Sequence, residues 1–365
     1  MLGSILKRKT VISIVMVLLF GLNLASPALG LERSNTIFSS GVIRYSPKVY
    51  FGIGGVWPIY DSEVSFEERQ AYYTEVLQLV KGLGAKYLRH DVRWDYCMPS
   101  RGHWDTWTVT IMLDEILDIA EPMGIELVPV VYATPTWSNA GGETSVPNMD
   151  DLKDFVTRLV TNYKDRIHYW QFWNEPTYEF DGTDAQFVEL TKTCYETAKA
   201  IDPTCKVILA GAAAWGICHD LEDDHSIKYL YAAGIKPYFD ILDIHLYSGV
   251  GSPDVGDSNY PGGLAAMVQT VVDFLESQGD GDREIWCMEF GYESTDVGLD
   301  LQAEYSVRAV GLMEASGKIE KIFYTYLTLG SASPWWGLEL VPKTGVTTLG
   351  EPKSAYYALQ QHFAK

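Results

Sequence analysis

The chain has 365 residues and a formal net charge of −20, from 28 Lys and Arg against 48 Asp and Glu. A surface this acidic repels nucleic acid and anionic membranes and argues against both as partners. An uncharged ligand, a carbohydrate for instance, meets no such barrier.

Residues 1–30 read as a processing signal. Lys7, Arg8 and Lys9 form a basic start, "TVISIVMVLLFGLNLA" is an apolar core, and "SPALG" places Ala28 and Gly30 at a cleavage point. The apolar run is short for a membrane span and is followed by Pro27 and Gly30, which favours cleavage over an uncleaved anchor. The expectation is a secreted, extracellular protein with no membrane partner in its mature form. Removing the signal and its three cations leaves residues 31–365, a chain of 335 residues with a charge of about −23. That length suits one large α/β domain better than two ordinary ones.

Beyond the signal, short apolar runs alternate with longer amphipathic segments, and no linker or low-complexity tract divides them. The expected strands are 49–57, 86–94, 126–137, 167–176, 205–214, 239–248, 284–294 and 319–329. Helical spacing marks 66–84, 150–164, 184–201, 262–279, 301–317 and the closing 353–365. The strands are apolar throughout rather than alternating, as in parallel sheets buried on both faces. Eight strands each followed by a helix define a single-domain (β/α)8 TIM barrel. A doubly wound open sheet is the alternative. It is weakened because "GIGG" at 52–55 lies within a strand and opens no helix.

Five cysteines, Cys97, Cys194, Cys205, Cys218 and Cys287, leave at least one thiol unpaired. Cys97 and Cys287 read as buried, and a bridge within Cys194, Cys205 and Cys218 is left open. The His residues show no HxH or HExxH spacing, so no metal site is expected. "GDGDRE" at 279–284 reads as a helix-to-strand turn rather than a calcium loop.

Barrels of this kind keep their chemistry at the carboxyl ends of the strands. Those positions hold Trp57, then Arg89, His90, Arg93 and Trp94, then Thr134 and Trp137. Next come Asn174, Glu175, Trp215, His245, Tyr247 and Glu289, and finally Tyr326, Trp335 and Trp336. The set is aromatic with a few polar groups, the make-up of a cleft that stacks sugar rings and fixes their hydroxyls. "FWNEP" ends the fourth strand on Glu175 and "CMEFGYES" ends the seventh on Glu289, so two carboxylates can flank one bond across the mouth. A retaining glycosidase needs such a pair about 5 Å apart.

"WNEP" after strand four and "EFG" after strand seven resemble the signature of clan A glycoside hydrolases, and within the clan families 5 and 39 most. The resemblance follows the strand order of essentially the whole mature chain. It implies Glu175 as acid/base, Glu289 as nucleophile and Asn174 as the partner of the sugar 2-hydroxyl. It also implies Arg89 as the strand-two Arg, Tyr247 of "HLYS" as the residue that orients the nucleophile, and His245 as its substrate-side neighbour. Many clan members floor the reacting sugar with a Trp at the end of strand eight. Here "YTYLTLGSASPWWG" has Tyr326 at that place, and Trp335 and Trp336 lie further along, so Tyr326 or the Trp pair is expected to serve.

Each candidate has a structural counterpart. Arg89 could neutralise buried acids, and His245 could be a satisfied core histidine. Strand-two alternation leaves the direction of His90, Arg93 and Trp94 open. Trp137, Trp173 and Trp215 could pack against helices, and Glu179 and Glu293 read as solvated loop carboxylates. The resulting expectation is a retaining β-glycosidase of β-xylosidase, endo-β-glucanase or mannanase type, with a carbohydrate substrate and no cofactor. Its competitors are a non-catalytic carbohydrate-binding barrel and a transglycosylase using the same carboxylates.

Overall fold

Eight parallel strands pair in sequence order and close on themselves: β1 (Tyr50–Ile53), β2 (Tyr87–Arg93), β3 (Glu126–Tyr132), β4 (Tyr169–Phe172), β5 (Lys206–Ala212), β6 (Ile241–His245), β7 (Glu284–Phe290) and β8 (Ile319–Tyr324). In this computed structural model the described residues are 49–55, 59–330, 333 and 337–364. The segment read as a signal peptide, together with Trp57, Trp335 and Trp336, lies outside them. Closure comes from β1 against β8, in register from Tyr50 with Lys321 to Ile53 with Tyr324. The closed barrel excludes the open-sheet alternative.

All eight expected strands are present, and each is shorter than its apolar run. β4 stops at Phe172 because Trp173 adopts φ +79°, outside strand geometry. The strands are walled on both faces; all five residues of β6 are buried, including Asp243 and His245.

The outer layer has α1 (Phe66–Gly82), α2 (Glu115–Met123), α3 (Met149–Tyr163), α4 (Asp184–Ile201), α5 (Ile227–Ala232), α6 (Gly263–Ser277), α7 (Leu299–Ser316) and α8 (Ser354–Phe363). Ser65 with Glu68, and Thr183 with Gln186, close reciprocal capping boxes at the starts of α1 and α4. The sequence pattern missed α2 and α5. Before α2 the chain runs through a π-helical turn, Thr110–Asp114, which shifts the phase of the apolar face, and α2 itself is short and carries Pro122 near its end. α5 has only six residues, too few to establish a period. A small pair, β9 (Thr328–Gly330) with β10 (Val341–Lys343), follows β8 and was also unforeseen.

Below the mouth, Val128, Ile208, Ile241, Trp286, Met288 and Phe323 fill the barrel, so the strands surround a packed core rather than a pore. The Lys321 ammonium lies 4.0 Å from the centre of the Trp286 ring and helps seal the amino-terminal end. All five cysteines are free, so no bridge joins Cys194, Cys205 and Cys218. Cys97 and Cys287 are buried, as their strand-like surroundings suggested. No helix among the described residues is long and apolar enough to cross a membrane.

Candidate active site

The chain leaves β4 through a strained turn. Trp173 sits at φ +79° and Glu175 at φ +25°, conformations that cost an ordinary residue of order 1–3 kcal/mol each. Pro176 disfavours the helical region for the residue before it and fixes the first position of the short helix Pro176–Glu179. The Trp173 amide donates to Val131 O at 2.7 Å and its indole N–H donates to Glu179 O at 2.9 Å, which hold the turn in place. The strain points Asn174 and Glu175 over the mouth instead of along the strand.

Opposite them, Glu289 near the end of β7 is held from two sides. Arg89 Nη1 donates to its Oε1 at 2.7 Å, and the Tyr247 hydroxyl donates to its Oε2 at 2.9 Å. Arg89 also donates from Nη2 to Asn174 Oδ1 at 2.7 Å, so one guanidinium orients residues from β4 and β7 together. His245 Nδ1 lies 2.6 Å from Glu175 Oε1 and 3.6 Å from Glu289 Oε2. Ligating atoms of Glu175, His245 and Glu289 all fall within 4.8 Å of one another. An approach this close is nearer the roughly 5–5.5 Å carboxyl spacing of retaining glycosidases than the roughly 6.5–9.5 Å of inverting ones.

A second polar layer lies directly beneath. Gln171 accepts from Arg89 Nε at 3.3 Å and donates from Nε2 to Asp243 Oδ2 at 2.7 Å. The same Asp243 oxygen takes His245 Nε2 at 3.1 Å, while Asp243 Oδ1 accepts from Met288 N at 3.0 Å. The hydrogen bonds thus run unbroken from Asn174 through Arg89, Gln171, Asp243 and His245 to Glu175. Sequence reading missed Gln171 and Asp243. The available signal was polarity out of place: each lies within an otherwise apolar run, and Asp243 is two residues before His245 and so on the same strand face. Gly211 on β5 makes room for this layer, because a Cβ there would sit 2.1 Å from His245 Nε2.

Burial alone would lower the His245 pKa, but Glu289, Asp243 and Glu175 together raise it well above the ordinary value. Burial likewise works against the Arg89 charge, and Glu289 and Asp243 outweigh it. Two further acids belong to this mouth. Burial, with the nearby Glu175 and Glu289 charges, raises Glu179 to about 7. Burial and Glu289 raise Asp91 to about 6, although Arg89 opposes the shift.

Glu179 therefore corrects the expectation of a solvated carboxylate. It is only partly exposed and accepts from Asn174 Nδ2 at 3.3 Å, because the turn after β4 folds back over the site. Glu293 is also half-buried, and burial raises its pKa. Tyr326 packs on the backbone of Gly55, where a Cβ would meet its ring at 2.3 Å. Burial, followed by Glu289 and Asp91, raises the Tyr326 pKa.

Other candidates are drawn away from the carboxylates. His90 points outward and its Nε2 pairs with Met112 O at 2.8 Å. Trp94 is buried and stacks on Phe155 at 5.3 Å. Trp137 stands edge-on to Trp94 and gives its N–H to Met98 O at 2.7 Å, so it forms part of the wall beside α3. Arg93 pairs with Asp95 at 2.8 Å and Glu143 at 2.5 Å, and Thr134 donates to Ser145 O at 2.7 Å. Trp173 is buried beside Phe180, and Trp215 is exposed at the rim.

Glu175, His245 and Glu289 have the spacing of a three-ligand metal site. Both ring nitrogens of His245 already meet carboxylate oxygens, Nδ1 at Glu175 and Nε2 at Asp243, so hydrogen bonding accounts for these contacts.

No protein-family model matches the chain. In fold it is similar to clan A glycoside hydrolases. One is a family 39 glycoside hydrolase from the gut symbiont Bacteroides cellulosilyticus WH2, with TM-score 0.70 and 19% identity over 87% of this chain. The match spans 63% of that longer protein. A GH5_18 variant from Streptomyces cattleya in complex with Manβ1-4GlcNAc gives TM-score 0.66 and 14% identity, over 87% of this chain and 80% of that one. A family 1 β-glucosidase from Thermotoga maritima gives 0.61 and 12%, over 87% and 97%. At such identities the likeness establishes the barrel, and the chemistry rests on the residues at its mouth.

Proposed function

We propose that the protein is a retaining β-glycosidase that hydrolyses β-linked oligo- or polysaccharides by double displacement. The observation that carries this reading is the facing pair Glu175 and Glu289, with oxygens within 4.8 Å and different supports. Glu289 is bound by Arg89 and Tyr247, and Glu175 by His245.

In the first step a Glu289 oxygen attacks the anomeric carbon as the glycosidic C–O bond breaks, and Glu175 protonates the departing oxygen. In the second step Glu175 takes a proton from water, the water oxygen attacks the anomeric carbon, and Glu289 is released. In this reading Asn174, held between Arg89 and Glu179, meets the sugar 2-hydroxyl, a contact that strengthens as the oxocarbenium character grows. The two carboxylates handle both proton transfer and nucleophilic attack, so the reaction as written uses no cofactor.

The fold neighbours, which include an exo-β-1,4-mannosidase and an endo-β-1,6-glucanase, support a carbohydrate substrate without selecting its linkage. The basic, apolar and small-residue pattern of residues 1–30 supports export, and N-terminal sequencing of the mature protein tests that. The test of activity is sugar release from a panel of β-linked glycans and aryl β-glycosides, with Glu175→Gln and Glu289→Ala beside the wild type. Cleavage of one linkage class, lost in both variants, supports hydrolysis. Binding of glycans without cleavage by the wild type overturns it in favour of a binding barrel, and sugar transfer in place of release would mark a transglycosylase.

A further inference from the structure

Three aromatic side chains come from the loops that follow β4, β5 and β6, on the side of the mouth where Glu175 follows β4. Tyr178 follows Glu175 in the short helix after β4, and its amide donates to Glu175 O at 2.9 Å. Trp215 stands in the short helix Ala214–Cys218 after β5, and Tyr260 in the loop after β6. Tyr178 is 58% exposed and Trp215 39% exposed.

The Trp215 ring is fixed from behind. His219 stacks on it at 4.0 Å and 23°, and Tyr260 meets it edge-on at 6.2 Å and 87°. Cys218 Sγ reaches Asn259 O at 3.7 Å, and Thr177 Oγ1 donates to Asp224 O at 2.7 Å, which tie the three loops together. With one indole face covered by His219, the exposed area is left as a rigid platform, the kind of surface that binds with little ordering cost. Tyr178 lies in the short helix that directly follows Glu175, and the Thr177–Asp224 bond joins that helix to the loop after the Trp215 helix, so the platform adjoins the acid/base candidate.

From this arrangement we infer that Tyr178, Trp215 and Tyr260 form the subsite for the leaving group, and that its occupant is a second, uncharged sugar ring. The inference rests on the glycosidase reading. The proton donor sits on the leaving-group side of the scissile bond, so a ring departing with the protonated oxygen passes over the residues flanking Glu175 rather than those around Glu289. The C–H face of a pyranose suits an indole plane, and its hydroxyls suit the two phenols. Asp223 contributes to the field at Tyr178, and Asp257 accepts from Tyr260 N at 3.1 Å, so a uronic acid would meet like charge there.

The test compares two substrates that share a glycone: the β-linked disaccharide identified by the panel and the matching β-glycosyl fluoride. Fluoride leaves without a ring and has nothing to place on the platform. Trp215→Ala is expected to lower kcat/KM for the disaccharide at least tenfold more than for the fluoride, as for loss of an aromatic anchor, with part of the difference restored by Trp215→Phe. Equal losses on both substrates, or none on the disaccharide, overturn the subsite while leaving the glycosidase reading standing. A wild type inert on the fluorides of glucose, mannose and xylose overturns both.

Discussion

Arg89 holds Oε1 of Glu289 at 2.7 Å across 200 residues of sequence, and the same guanidinium holds Asn174 Oδ1 at 2.7 Å. One side chain on β2 thereby sets the spacing between the ends of β4 and β7. Lysine keeps the charge but cannot satisfy both partners with one planar fork. Arg89→Lys is expected to lower kcat/KM by roughly 10²–10³, the loss seen when a preorganised donor is removed from a reaction centre. Steady-state kinetics on an aryl β-glycoside measures this, and a loss below threefold would sink the coordinating role.

On the proposed roles, the two carboxylates are expected to differ in the products their variants make with azide. In Glu289→Ala, azide occupies the nucleophile's place and attacks the anomeric carbon directly, giving the α-glycosyl azide. In Glu175→Ala, azide attacks the glycosyl-enzyme formed on Glu289 and gives the β-glycosyl azide. An activated aryl glycoside as donor and proton NMR of the anomeric signal distinguish them. The same anomer from both variants contradicts the assigned roles.

Gly211 is needed for space. An added Cβ would lie 2.1 Å from His245 Nε2, and the ring is fully buried between Asp243 and Glu175. Gly211→Ala is expected to cost about 1–3 kcal/mol of stability, the usual range for overpacking a core. Activity should fall as His245 leaves its two carboxylates. In a thermal-unfolding cycle with His245→Ala the stability losses should be non-additive, because the second change creates the room that the first requires. Strict additivity would mean the two residues do not compete for that space.

Glu179 makes folding pH-dependent. Burial, with Glu175 beside it, raises its pKa from the ordinary 4.5 to about 7. Between these values the folded chain binds more protons than the unfolded one, so this group's contribution to stability falls as pH rises through the window. Glu179→Gln removes the titration. The melting temperature of the variant minus that of the wild type should therefore grow from pH 4.5 to 7 and level off above it. A difference independent of pH would place Glu179 in solvent, as the sequence alone suggested.

Much of this protein was legible residue by residue. Period and caps are local properties: "FEERQ" after Ser65 announces α1, and apolar runs ending in "WNEP" and "EFG" announce β4 and β7. Eight such runs have few ways to bury both faces, so the barrel and the facing of Glu175 with Glu289 followed from sequence order. These two helices, α2 and α5, escaped because the π-turn ahead of α2 shifts the apolar phase and the six-residue α5 is too short to show one.

Only the tertiary structure decided which neighbours turn inward. On β2, Arg89 faces the carboxylates and His90 faces Met112, and no property of "LRHD" selects that register; closure of the whole barrel does. The same holds for Gln171 and Asp243, which become a polar floor only once β2, β4, β6 and β7 are brought side by side. The sequence by itself determined which strands would end in carboxylates, because that is a matter of order along the chain. The raised pKa values of Glu179 and His245 and the exposure of Trp215 were decided by the fold, because burial and field depend on groups that are distant in sequence and adjacent only in space.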